Sequence, residues 1–153
     1  MAVLLPTQRD TFDVIISIDS ALDISSEDWE RYRETLDESH LKFKDGMQPT
    51  RFVMRKVLPF SLAKKVQNDQ VTTRDGKMEV QLGFISEEVR ASLVDIKNPE
   101  DVPQDQWIKF EKDKDGGASE KLMELLMAAR IVDELYAARQ VKVSKMSDLL
   151  KKK

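Results

Sequence analysis

The stretch SEKLMELLMAARIVDELYAARQ, Ser119 to Gln140, is the longest run of apolar periodicity in this 153-residue chain, and what it packs against decides the fold. Placed at about 100° per residue, its apolar positions form two stripes rather than one. Leu122, Met123, Leu125, Leu126, Met127 and Ala129 share one broad arc, with Glu120, Lys121 and Glu124 opposite. Beyond Arg130 the phase moves by about half a turn: Ile131, Val132, Leu135 and Tyr136 occupy the new apolar side, and Arg130, Asp133 and Glu134 take the old one. Either the helix breaks near Ala129-Arg130 into a hairpin on one core, or a continuous helix is clamped between two surfaces, one of them another chain's. In the second case Met123, Met127 and Ile131 form a row across the break, an apolar patch that a partner would cover, with thioethers suited to adaptable contacts. These three are the candidate partner-binding residues.

The composition sets the frame for that choice. With 41% hydrophobic and 35% charged residues the chain is too apolar for disorder and too charged for a membrane protein. Its length suits one globular domain, assigned to residues 1–140, with 1–24 as an extended arm or edge strand and 141–153 as a basic, flexible tail. No apolar run approaches the roughly 18 residues of a spanning helix, and MAVLLPTQRD is too short for a signal peptide, so a cytoplasmic protein is expected. The absence of cysteine excludes disulfides, thiol catalysis and Cys-ligated metal. A net charge of −3 hides a division: six Lys/Arg and one Asp lie between Arg139 and Lys153, leaving the preceding 138 residues at −8. An acidic body repels phosphate, which argues against nucleic acid as a partner.

Chemistry is hard to place. His40 is the single histidine, so a histidine-based metal site or a catalytic triad would rest on one residue. No phosphate-cradling or nucleophile-elbow motif is present. In EKDKDGGAS, Glu111, Asp113, Asp115 and Gly116 occupy the first, third, fifth and sixth places of a calcium loop, but the twelfth place, which needs a bidentate carboxylate, is Leu122. The segment reads instead as a mobile acidic turn. No catalytic residue, cofactor or metal is assigned, and an enzyme is not expected.

Along the chain, TFDVIISIDS (Thr11 to Ser20) reads as a strand or arm. SSEDWERYRETLD reads as a helix capped by Ser25, with Trp29, Tyr32 and Leu36 on one face. HLKFKDG and PTRFVMRKVLPF alternate as the two strands of a ribbon joined through Asp45-Gly46, and Ser61 can cap a helix through LAKKVQNDQ that ends at the polar TTRDG. From Met78 two readings compete. Met78, Leu82, Ile85, Val89, Leu93 and Ile96 fall in a stripe about 80° wide, favouring a helix from about Met78 to Val94. The alternation of KMEVQLGF after Asp75-Gly76 allows a strand to Phe84 and then a helix capped by Ser86. Asn98-Pro99 ends whatever precedes it. The sum is an α-rich α+β domain in which a small antiparallel β ribbon packs on three to five helices.

The order of FVMRKVLP, EEVRASLVDIKNPED and KLMELLMAARIVDELYAA, with Val89, Arg90, Leu93, Val94 and Asn98 in the middle block, resembles the small tail assembly chaperones of long-tailed bacteriophages over roughly residues 50–140. The resemblance lies in an apolar rhythm and implies a non-catalytic protein that binds the tape measure or another tail protein in the cytoplasm of the infected host. Lys151-Lys152-Lys153 is what an A-rich slippery site, at which such genes shift frame, would encode. Homo-oligomers are compatible with this role. The alternatives are a structural component retained in the virion and a regulatory protein that binds a host enzyme.

Overall fold

The computed structural model describes residues 10–74, 77–80 and 83–151, with the side chains of 10–65 and 84–144. Its elements are β1 (Thr11–Val14), α1 (Ser26–Thr35), β2 (Arg51–Arg55), α2 (Phe60–Gln70), β3 (Val71–Arg74), β4 (Lys77–Val80), α3 (Gly83–Ser92), β5 (Leu93–Lys97), α4 (Glu120–Ala128) and α5 (Val132–Lys151). The fold is α-rich α+β. Strands β1, β2 and β5 form an antiparallel sheet with β2 in the centre, and β3 and β4 form a separate hairpin. No helix among the described residues is long and apolar enough to cross a membrane.

One sheet face carries Phe12, Val14, Phe52, Met54, Leu93 and Ile96 into the main core, where they meet Val89, Leu122, Met123, Leu126, Ile131 and Leu135 from the helices. Register places Phe12 beside Met54, Val14 beside Phe52, and Phe52 beside Ile96. Between Val53 and Met54 the pairing with β5 slips: Val53 faces Asp95 but Met54 faces Leu93, so Val94 is left over as a bulge. The bulge is why Leu93 and Ile96, three apart, both reach the core.

The same bulge corrects the helix expected from Met78 to Val94. Residues 77–80 are strand, α3 starts at Gly83, and the chain passes from Ser92 directly into β5. The spacing of Val89, Leu93 and Ile96 imitates a helical stripe because the end of a helix is followed by a bulged strand. The strand-then-helix alternative is the closer one, although α3 begins before Ser86. The expected ribbon is corrected too. Residues 41–44 turn back on the segment before α1, with Leu22 bridging Phe43 and Lys44 donating to the Ala21 carbonyl at 2.8 Å, while β2 pairs with more distant segments. Asp45-Gly46 does turn, with Gly46 at φ +76°, but leads into a loop. The TTR of TTRDG belongs to β3, and Asp75-Gly76 lies outside the described residues.

Capping fixes several helix ends. The Ser25 hydroxyl accepts from the Asp28 N–H, and that of Ser119 accepts from the Leu122 N–H, both at 3.2 Å. Tyr32 of α1 is buried with Ile15 and Leu41, and its hydroxyl accepts the Ile15 N–H at 3.0 Å, covering the outer edge of the sheet just beyond β1. β1 is an edge strand of the three-stranded sheet; residues 1–9 lie outside the described residues. α5 runs on to Lys151, because VKVSKMSDLLK contains no glycine or proline to stop it; residues 152 and 153 lie outside the described residues.

Downstream of β5, the Asn98 side chain behaves as a piece of strand: its amide donates to the Ile108 carbonyl at 2.8 Å and its oxygen accepts the Ile108 N–H at 3.0 Å. Within the loop so closed, the Trp107 indole N–H reaches the Pro99 and Val102 carbonyls.

The SEKLMELLMAARIVDELYAARQ stretch is a hairpin of two helices. Arg130 takes a left-handed φ of +59°, its N–H bonds the Met127 carbonyl, and the Ile131 N–H bonds the Leu126 carbonyl, both at 3.0 Å. This is a Schellman ending, completed by the buried contact of Ile131 with Leu126, built on arginine where glycine is usual. Arg130→Gly should accordingly stabilise the fold by about 1 kcal/mol in urea denaturation. Gly117 behaves oppositely. A Cβ there would collide with the Arg90 carbonyl oxygen and lie 2.9 Å from Ala91 Cα, so Gly117→Ala should cost about 3 kcal/mol. Gly46→Ala, with open space but positive φ, should cost about 1 kcal/mol in the same assay.

Candidate functional site

Among the described residues a dense cluster of charged groups surrounds Arg90 of α3. Its guanidinium is buried and every donor direction is occupied: Glu87 at 3.0 and 2.8 Å, Asp115 at 2.6 Å, Asp113 at 3.1 Å and the Ala118 carbonyl at 3.2 Å. The hydrogen bonds from Arg90 hold the Glu87 and Asp115 carboxyls below their usual values and push the Arg90 pKa upward. Two of the three carboxylates of the calcium-like pattern, Asp113 and Asp115, thus turn to a cation of the same chain. Among the described residues no group of three or more His, Cys, Asp or Glu could hold a metal ion. The segment expected to be mobile is a tight turn in which Lys112 bridges Ala118 and Gly117 is buried against α3, a correction with a simple cause: its charges had a partner more than 20 residues away.

A second polar contact ties α5 to α3 and β2. Arg139 is buried, donates to the Arg55 carbonyl, and has its Nε 3.7 Å from Glu88, whose other oxygen accepts from Gln140 at 3.2 Å. Burial pushes the Glu88 carboxyl up and the Arg139 guanidinium down. Both clusters join secondary elements, and neither sets a nucleophile beside a base. His40 ends a short 3-10 turn, Glu38–His40, half-buried.

The three candidate partner-binding residues separate. Met123 is 5% and Ile131 3% exposed, both in the main core, whereas Met127 is 55% exposed. The row is corrected because the left-handed Arg130 rotates Ile131 inward under α4, and Met123 lies on the inner side of that helix with Leu122 and Leu126. Leu125 is as exposed as Met127, but two positions apart on a helix they lie on opposite flanks and form no shared patch.

The larger surface feature is a groove of about 570 Å³ between α1 and α5, floored by the end of β1. Trp29 of α1, Leu36 just after it, and Ala137 and Val141 of α5 give it apolar walls. Carboxylates border it: Glu30 and Glu34 on α1, Asp133 and Glu134 on α5, with Arg33 the one cation. Arg33 is held by Glu30 at 3.2 Å, and Glu134 accepts the Ser17 N–H at 3.0 Å. Glu34 and Asp133 form no ion pair among the described residues. Sequence reasoning had located the buried face of α1 but not this flank. The available signal was the like-charged pair Glu30 and Glu34, four apart, which disfavours an isolated helix by a few tenths of a kcal/mol.

No protein-family model, no curated protein and no solved structure matches the chain.

Two measurements follow from this geometry. Met123→Glu should unfold or aggregate the protein, whereas Met127→Glu should shift stability by no more than about 0.5 kcal/mol in thermal melts. The Arg90 cluster sets an acid limit. Glu87 and Asp115 have folded pKa values below the usual 4.5 and 3.8, so their contribution is complete above those values and is lost as pH falls through them toward the folded values. Glu88, shifted upward, partly offsets that loss. Urea midpoints between about pH 6 and about pH 3 should fall steeply for the parent, and Arg90→Gln should lower the neutral midpoint and flatten the limb. An equally steep limb in the variant would mean the carboxylates are held by something other than Arg90.

Proposed function

We propose that the protein is a non-enzymatic protein-binding factor in bacteriophage tail or virion assembly, acting in the infected cell on the tape measure or another tail protein. The observation that carries the binding role is the groove between α1 and α5, an apolar channel bordered by carboxylates of which two are unpaired among the described residues. Such a channel suits a helical or extended protein segment presenting apolar and basic side chains. The phage assignment draws on the resemblance of residues 50–140, and the acidic body agrees with a protein rather than a nucleic acid as partner.

A second reading, a structural component retained in the virion, is favoured by one feature: β1 is an edge strand, to which a neighbour's strand could add. Tyr32 covers part of that edge, which weighs against it.

Co-expression with candidate tail and tape measure proteins of a long-tailed phage tests the first reading. The parent should co-elute with one of them, and Ala137→Glu, which keeps a helix-forming residue at an exposed position, should keep its melting temperature but lose the partner. Unchanged co-elution would overturn the groove as the binding surface. Mass spectrometry of purified virions separates the readings: an assembly factor is absent, and a structural component is present in many copies.

A further inference from the structure

We propose that the groove between α1 and α5 receives the lysine-rich end of α5 from a second copy of the chain, so that two copies hold each other reciprocally. The inference rests on the groove's chemistry and not on the phage role; a tail protein bound in the same groove would have to displace the second copy, so the experiment reads self-association of the chain alone.

The groove supplies two of the needed properties. Its walls are apolar, with the small Ala137 allowing close approach of another helix, and its borders carry Glu30, Glu34, Asp133 and Glu134 against Arg33 alone. The end of the chain supplies the complement. After Gln140 the sequence reads VKVSKMSDLLKKK, with five lysines to one aspartate, and Val143, Met146 and Leu150 recur at helical spacing. Lys142 is engaged with the Phe12 ring of its own copy, 5.8 Å from the centroid, and the further cations of this sequence are Lys145 and Lys151 to Lys153.

Geometry decides whose end this is. The 20 residues of α5 extend over about 30 Å. The last of its described side chains to be buried is Arg139, and Val143 is 37% exposed, so the described part of α5 leaves the core between these two residues. It cannot return to its own groove, because α5 is itself one wall of that groove and runs unbroken to Lys151. A second copy can reach it. Two of the three acids of α5, Asp133 and Glu134, lie in its first turn, and its three lysines, with Asp148, in its second half, so an antiparallel, two-fold arrangement sets each acidic end against the partner's basic end.

The experiment is sedimentation equilibrium on the full chain, with two charge-reversal variants. The first reverses the groove, Glu34→Lys with Asp133→Lys; the second reverses the end, Lys151→Glu, Lys152→Glu and Lys153→Glu. The parent should be a dimer that weakens with added salt, and each variant alone should dissociate at least roughly tenfold more readily. An equimolar mixture should restore the dimer, because the basic groove of one variant then meets the acidic end of the other, and the converse. Glu34 and Asp133 are exposed, and circular dichroism checks that each variant is folded, so either variant can be read without the other. A parent that stays monomeric at every concentration overturns the proposal. So does a dimer insensitive to both reversals, which would use another face, and so does a mixture that remains monomeric.

Discussion

The placement of the C-terminal half of the molecule depends on one buried cation. Arg90 of α3 binds Glu87 on its own helix and Asp113 and Asp115 across the turn that precedes α4, while the Ala118 N–H bonds the Arg90 carbonyl at 2.8 Å. That turn can come close enough only because Gly117 has no side chain. With the turn fixed, Ser119 starts α4 in a defined direction, the left-handed Arg130 reverses the chain, and α5 crosses back past α3 toward α1. The groove thus owes its far wall to a contact on the other side of the core. Removing one partner of a buried ion pair typically costs about 3–5 kcal/mol, much of it from leaving the other charge buried without compensation.

Local signals were legible where a single residue carried the mechanism. Ser25 announces a helix start because a hydroxyl satisfies an otherwise unpaired N–H; Ser119 does the same at the head of α4, where the sequence reading rests on the apolar periodicity and not on the cap. The phase break near Ala129-Arg130 was legible because two stripes cannot share one straight helix, although the sequence left open whether the helix broke. A glycine at 130 would have settled it; arginine in a left-handed conformation leaves no trace in the residue type. The inference failed where partners are distant. β2 finds β1 and β5, roughly 40 residues away on either side, rather than the nearer alternating stretch at Leu41 and Phe43. The bulge at Val94 gave β5 the rhythm of a helix.

The candidate site shows the same division. Met123 and Met127 are chemically identical and four apart, yet one is core and the other solvent-facing, because the apolar arc of α4 is wider than the surface it packs against. Sequence identifies the arc and not its buried sector. The groove joins residues from three separated segments, Val14, Trp29 and Ala137 among them, so no window of sequence contains it. The acidic turn failed in the other direction: its carboxylates looked solvated because Arg90 lies beyond the range of any local pattern.

The bond pair between Asn98 and Ile108 has a consequence for how this chain tolerates change. By joining the two stems of the 99–107 loop, the side-chain amide separates the loop's length from the position of everything after it. The entropic cost of closing a flexible loop grows only with the logarithm of its length, about 0.6 kcal/mol per doubling. Insertions between Glu100 and Gln106, where most of the residues are exposed, would lengthen the excursion without moving β5 or the acidic turn. The β5–α3 junction, where helix becomes strand with no residue between, offers no such slack: one added residue there would turn the strand over and send Leu93 or Ile96 to the wrong face. The molecule therefore has one stretch where its lineage could graft new segments and, a few residues upstream, one where its length is frozen.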